Sequence, residues 1–159
     1  MREIERALRQ RQRAKEHSKQ ALQRLKDIEH DISLPALNYD RIGSSSKGFS
    51  SSPVEKQAIR IEDAQRECVR GICREIDATA AVIDLLALMD DEDEMNLLLD
   101  LFLYDKSMQS IADHLRIKYK TLLSRKAAAL DHLDELIQNN ERAAGLFDTL
   151  KHIADAPNE

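Results

Sequence analysis

The sequence predicts an all-α protein in which a long antiparallel, coiled-coil-like helical hairpin precedes a small helix-turn-helix bundle. Residues that favour strands and turns are scarce, since 159 residues include only four Gly, three Pro, three Tyr, three Phe and no Trp. Apolar residues recur at spacings of three and four through several long segments, as in amphipathic helices. A single Ser-rich stretch separates the first two of these segments.

The first half of the chain predicts two long helices joined by a connector. Apolar spacing over residues 4–32 favours a long but imperfect helix, and the Ser, Gly and Pro content of residues 33–53 is typical of a flexible connector. Ser52 and Pro53 suit the cap and first position of a second helix, which runs to about Met89. Two such helices most simply fold back on each other. Pairing of each helix with a second chain is the open alternative.

The second helix carries an apolar stripe that we expect to be its buried face. Cys68 and Cys73 lie five residues apart on this helix, which turns their side chains away from one another and disfavours a shared metal or a local disulfide. The stripe comprises Val54, Ala58, Ile61, Cys68, Ile72, Ile76, Ile83 and Leu86.

Charge is strongly segregated along the chain although the net charge is only -5. Residues 1–26 hold nine Lys or Arg and three Glu, residues 84–105 hold eight acids and no base, and residues 106–126 hold six bases and one acid. The acids suit the start of the helix that follows them. The basic N-terminal block predicts either a second contact with nucleic acid or pairing with the acidic block. For the contact, the candidate residues are Arg6, Arg9 and Arg13.

The predicted organisation has three parts. Residues 1–89 form the hairpin arm, residues 90–138 a DNA-binding domain, and residues 139–159 an amphipathic helix and tail. No nucleophile–base pair, metal-ligand set or phosphate-binding loop is recognisable, so we expect no enzymatic activity, cofactor, metal or small-molecule substrate. Because the sequence has neither a membrane-spanning apolar run nor a signal peptide, we expect a cytoplasmic protein without membrane contact.

The stretch SMQSIADHLRIKYKTLLSRKAAAL, residues 107–130, predicts a short helix, a tight turn and a longer helix. Ser107 caps the first helix, small Ala112 permits a close helix crossing, and Ile117 fills the turn. The outward residues at the start of the second helix then occupy positions that enter a DNA groove. Its inward residues are Leu122, Ala129, Leu130 and Leu133.

This segment resembles the promoter-reading helix-turn-helix of sigma factor region 4 over residues 97–133. The likeness lies in the pair Ile111–Ala112, the plug Ile117 and the pair Ala129–Leu130, while Arg116 occupies a turn position that is often Gly. The resemblance and the geometry together predict that the second helix reads base edges and holds phosphates. The base-facing residues are Tyr119, Lys120, Leu123 and Ser124; the phosphate contacts are Ser107, Lys118, Thr121, Arg125 and Lys126.

The order of a basic helical part, a Ser-rich loop, an SPVE helix start and a C-terminal helix-turn-helix resembles phage late transcriptional regulators of the RinA and ArpU type. The resemblance implies a sequence-specific DNA-binding regulator, an activator of phage or mobile-element genes in the cytoplasm of a bacterial host. The partners then expected are double-stranded DNA, a second copy of the chain in a dimer, and RNA polymerase.

Two alternatives stay open at this point. A small terminase subunit, which recognises DNA for phage packaging, also combines a helix-turn-helix with helical oligomerisation, but it would assemble as a ring. A pure interaction protein would use the arm for a protein partner and would not bind DNA. The sequence decides neither the operator nor the direction of regulation.

Overall fold

A computed structural model describes residues 2–33 and 53–155, which fold as helices with no strand among them. The predicted all-α class is confirmed. Ser52 and most of the predicted connector lie outside the described residues. The helices are α1 (Glu3–Leu8), α2 (Gln10–Ser33), α3 (Pro53–Leu86), α4 (Glu92–Phe102), α5 (Met108–Leu115), α6 (Tyr119–Asn139) and α7 (Glu141–Asp155). Across the described residues, no helix combines the length and apolar character that a membrane crossing requires.

Side-chain caps start two of these helices, and the cap by Ser107 is the one that the sequence predicts. Asp91 precedes α4 and accepts a hydrogen bond of 3.0 Å from the backbone N–H of Glu94. Ser107 precedes α5 and accepts one of 3.1 Å from the backbone N–H of Ser110. Each cap satisfies an N–H that has no partner inside the helix. The first turn of α4 is acidic throughout, which also suits the positive end of the helix dipole.

The chain packs as two compact units, Met1–Lys15 with Arg74–Glu159, and Glu16–Cys73. The predicted arm, residues 1–89, contributes to both, so its boundary does not coincide with this division. The physical reason lies in α1, where Ile4 and Leu8 are 1% and 0% exposed within the core of the larger unit.

The core of the larger unit is built from five helices. Residues of α1, α3, α4, α6 and α7 form one apolar cluster, and the predicted inward residues of α6 are buried. The C-terminal helix covers this core through Phe147 and Leu150, as its amphipathic pattern predicts. The largest fully buried side chains are Ile4, Leu8, Val82, Leu85, Leu86, Leu98, Leu122, Leu133 and Leu150.

The smaller unit is an antiparallel pair formed by parts of α2 and α3, which confirms the predicted hairpin. Arg24 Nη1 lies 2.8 Å from Glu67 Oε1, and Gly71 lies against Ser18, so residue numbers rise along one helix as they fall along the other. A Cβ placed on Gly71 would lie 3.2 Å from Ser18 Cα. The residues buried in this unit are small, and small residues allow a close approach of two helices. They are Ser18, Ala21, Ala64 and Cys68.

The predicted buried stripe of α3 is largely wrong. Ile72, Ile76 and Ile83 are 43%, 60% and 42% exposed, and Ala58 is exposed as well. Cys68 and Leu86 are buried as predicted. The helix carries a second stripe, rich in small residues, and this second stripe supplies its packed face: Ala64, Cys68, Ala78, Ala81, Val82 and Leu85.

Candidate nucleic-acid interface

The turn between α5 and α6 is closed by a backbone motif centred on Arg116. This residue adopts the left-handed conformation, with φ 53° and ψ 38°. The N–H of Arg116 donates to Asp113 O at 3.2 Å, and the N–H of Ile117 donates to Ala112 O at 3.0 Å. These two bonds are those of a Schellman motif, which satisfies the last carbonyls of α5. The sequence did not indicate this conformation, because it is usually adopted by Gly.

A small apolar cluster holds α5 and α6 against α4. Ile111 and Ala112 of α5 and Leu122 of α6 are at most 2% exposed, and Ile117 packs against them from the turn. The small side chain of Ala112 lies inside this crossing, as predicted for a helix-turn-helix. Leu115, the last residue of α5, is 45% exposed. In the first turn of α6, Leu122 is buried and the side chains of residues 119–121 are exposed.

The four predicted base-facing residues all lie on the exposed side of the first turns of α6. Tyr119 and Leu123 are 49% and 50% exposed, and Lys120 and Ser124 are exposed as well. Tyr119 and Leu123 lie four residues apart on α6, which aligns these two side chains beside the polar ones. This exposed first part of α6 thus offers hydrogen-bonding groups and apolar surface together.

Most of the predicted phosphate contacts surround that surface. Lys118, Thr121 and Arg125 are exposed, and the first turn of α6 contains no acid. Ser107 is also exposed; its hydroxyl accepts the capping bond and retains its own hydrogen for an acceptor outside the protein. Within residues 2–33 and 53–155, the cations at the turn and on α6 that form no ion pair are Arg116, Lys118, Lys120 and Arg125.

Lys126 differs from the other predicted phosphate contacts because it lies inside the bundle. Its Nζ is 2.7 Å from Glu5 Oε1 and 5.9 Å from the centroid of the Phe102 ring, and its side chain is 16% exposed. Burial opposes ionisation of Glu5, but hydrogen bonds from Lys126 and Arg9 outweigh it and hold the pKa of Glu5 below its usual value. This geometry does not favour a phosphate contact by Lys126.

The predicted second basic contact remains open to solvent. Arg6, Arg9 and Arg13 are exposed on α1 and the first turns beyond it, although Arg9 Nη2 also lies 3.0 Å from Glu5 Oε1. The structure places these three residues in the same compact unit as the start of α6.

Neighbouring residues of the N-terminal block pair with the acidic block instead. The Asp105 carboxylate accepts hydrogen bonds from Arg11 Nη1 at 3.1 Å, Gln12 Nε2 at 2.8 Å and Lys15 Nζ at 2.7 Å. Burial opposes ionisation of Asp105, but these hydrogen bonds and charges outweigh it, so its pKa lies below the usual 3.8. Asp105 itself has a φ of 56°. The sequence predicted pairing of these two blocks as one alternative, but it did not identify the residues that meet.

No protein-family model matches the chain, and no curated protein or solved structure matches it significantly.

Proposed function

We propose that this protein is a sequence-specific DNA-binding transcriptional regulator that reads the major groove with the start of α6. The observation that carries the proposal is the exposed first part of this helix, where Lys120 and Ser124 lie beside apolar Tyr119 and Leu123. Lys and Ser donate hydrogen bonds to base edges, and apolar side chains contact the thymine methyl group. A helix of this kind, presented by a helix-turn-helix, enters the major groove through its N-terminal residues.

The charges around this surface favour DNA over a protein partner. Lys118 and Arg125 form no ion pair among the described residues, so contact with phosphates does not require them to give up a carboxylate. Each neutralised phosphate releases counterions, which makes binding dependent on salt. Arg6, Arg9 and Arg13 supply a second, sequence-independent contact in this proposal.

The wider role follows from the resemblance to phage late regulators. The protein acts in the cytoplasm of a bacterial host, two copies bind two half-sites about one helical turn apart, and contact with RNA polymerase activates phage or mobile-element genes. Transcription from a promoter placed beside a selected binding site tests this part. We expect purified bacterial RNA polymerase to produce more transcript when the protein is added; less transcript would indicate a repressor.

Selection from a random pool of DNA duplexes tests DNA reading directly. Binding of a selected duplex and of a scrambled duplex is then measured at two salt concentrations. We expect Lys120→Glu/Ser124→Ala to weaken binding of the selected duplex by at least about tenfold, because two base contacts are lost. Arg142→Glu, a charge reversal at an exposed residue of α7, is the matched control and is expected to retain selectivity. Weak binding that ignores sequence and survives the double change would contradict the proposal.

A further inference from the structure

Helix α3 presents an exposed apolar stripe that its own chain leaves uncovered in the described structure. Val69, Ile72, Ile76 and Ile83 are 60%, 43%, 60% and 42% exposed, and Ala80 is exposed between them. Four large β-branched side chains in a row, open to water, carry a free-energy cost that a partner would remove. All five residues lie on one continuous helix, so helical geometry alone sets their alignment.

The spacing of this stripe is symmetric about Ile76. Val69 and Ile83 lie seven residues before and after it, and Ile72 and Ala80 lie four residues before and after it. Residues seven apart fall on nearly the same face of a helix, as in a coiled-coil seam. A stripe with this symmetry is complementary to its own copy in the antiparallel direction, because a two-fold axis at Ile76 brings Val69 of each copy against Ile83 of the other.

The charges beside the stripe favour the antiparallel direction. Arg70, Asp77 and Asp84 follow one another at seven-residue intervals along one flank. In parallel pairing this flank of one copy would face the opposite flank of the other, so Arg70 and Asp84 would not meet. In antiparallel pairing about Ile76, Arg70 of each copy lies close to Asp84 of the other. Of these three residues only Asp77 faces itself, as Glu75 does on the other flank.

We propose that two copies of this chain associate through the exposed stripe of α3, packed antiparallel about Ile76. The seam is short compared with interfaces of about 800 Å² per partner in stable complexes, so the dimer is weak and dissociates at micromolar concentrations. This inference names the contact surface of the dimer in the proposed function and to that extent rests on it. The experiment contains no DNA, so failure of this surface and failure of DNA reading are distinguishable.

Sedimentation of the full chain over a range of micromolar concentrations tests the stripe. We expect a monomer–dimer equilibrium that Ile76→Asp weakens by about 100-fold, since the change buries two charges at the centre of the seam. Ile59→Asp is the matched control. Ile59 is 50% exposed on the same helix, but the position opposite it, residue 93, lies beyond the end of α3. Circular dichroism checks that both variants keep their helices.

Asp77→Asn is expected to change the dimer affinity in the opposite direction to Ile76→Asp. Removing the like-charge contact at Asp77 is expected to strengthen the dimer by about twofold to fivefold, an effect that damage to the fold would not produce. A chain that stays monomeric up to about 0.5 mM overturns the proposal. So does a ring-sized assembly, or a dimer that Ile76→Asp leaves unchanged.

Oxidative cross-linking tests the direction of pairing. Cys73 is an exposed free thiol, and in the antiparallel pair it lies near Ala80 of the second copy. Ala80→Cys is therefore expected to form a covalent dimer through native Cys73. The unmodified chain is not expected to form this covalent dimer, because its two Cys73 residues are separated by about 9 Å along the helices. Cross-linking of the unmodified chain through Cys73 would indicate parallel pairing and overturn the antiparallel arrangement.

Discussion

Lys126 of α6 donates a hydrogen bond of 2.7 Å to Glu5 of α1, and neither side chain is more than 16% exposed. The pair therefore joins the N-terminal helix to the proposed DNA-reading helix inside one compact unit. Lys126 thus helps to hold α6 in place, while Lys120 and Lys118, six and eight residues earlier, face solvent. The two kinds of lysine are expected to respond differently to substitution.

We expect Lys118→Ala to weaken DNA binding with little change in stability. Loss of one phosphate contact lowers the slope of log affinity against log salt by about 0.9. Lys126→Ala is expected to lower the free energy of unfolding by about 1–2 kcal/mol, between the values for exposed and buried ion pairs, and to leave the salt slope nearly unchanged. Denaturant unfolding and binding titrations at several salt concentrations measure both effects. A lower salt slope for Lys126→Ala would support the predicted phosphate contact of Lys126.

Acid is expected to destabilise the larger unit. The folded-state pKa values of Glu5 and Asp105 lie below their usual values of 4.5 and 3.8. A carboxyl with a lowered folded pKa stabilises the fold above its unfolded pKa, and this contribution is lost as pH falls through the folded value. The free energy of unfolding should therefore fall from about pH 4.5 downward, as denaturant melts at successive pH values would show. Glu5→Gln should reduce the slope; an unchanged slope would exclude Glu5 as a contributor.

Arg116→Gly is expected to stabilise the turn between α5 and α6 by about 1 kcal/mol, since the left-handed conformation strains a residue with a Cβ and not Gly. Thermal unfolding should therefore move upward. Ser110→Gly is the matched control, because it lies inside α5 and should be destabilising by about 0.5 kcal/mol. A loss of stability in Arg116→Gly would mean that the arginine side chain contributes more than its backbone costs.

Gly71→Leu is expected to disrupt the antiparallel pair of the smaller unit, because even a Cβ at this position would lie 3.2 Å from the Ser18 backbone. Overpacking of this kind typically costs about 1–3 kcal/mol. A Cβ placed on Gly145 in α7 would meet nothing within 4 Å, so Gly145→Leu should be neutral or stabilising, since Leu favours helices more than Gly does. Hydrogen exchange of residues 16–73 measures the loss directly. Equal protection in both variants would contradict the close approach.

Local signals in the sequence were enough to predict much of the helical layout. Ser107 caps α5, acids occupy the first turn of α4, and Leu122 and Leu133 point inward, all as predicted. These features depend on residues a few positions apart, whose backbone and side chains interact within one or two turns. For the same reason the exposed start of α6 could be predicted from the order of residues alone.

By itself, the sequence determined an all-α chain in which two long helices precede a helix-turn-helix, and it left open whether those two helices pair with each other. The tertiary structure decided which of two apolar stripes on α3 is buried, that α1 with Ile4 and Leu8 belongs to the core, and that Lys126 pairs with Glu5. Periodicity predicts that an apolar stripe is buried, but it does not identify the residues that pack against it. That choice depends on contacts between residues distant in sequence, such as those 121 positions apart in the Lys126–Glu5 pair.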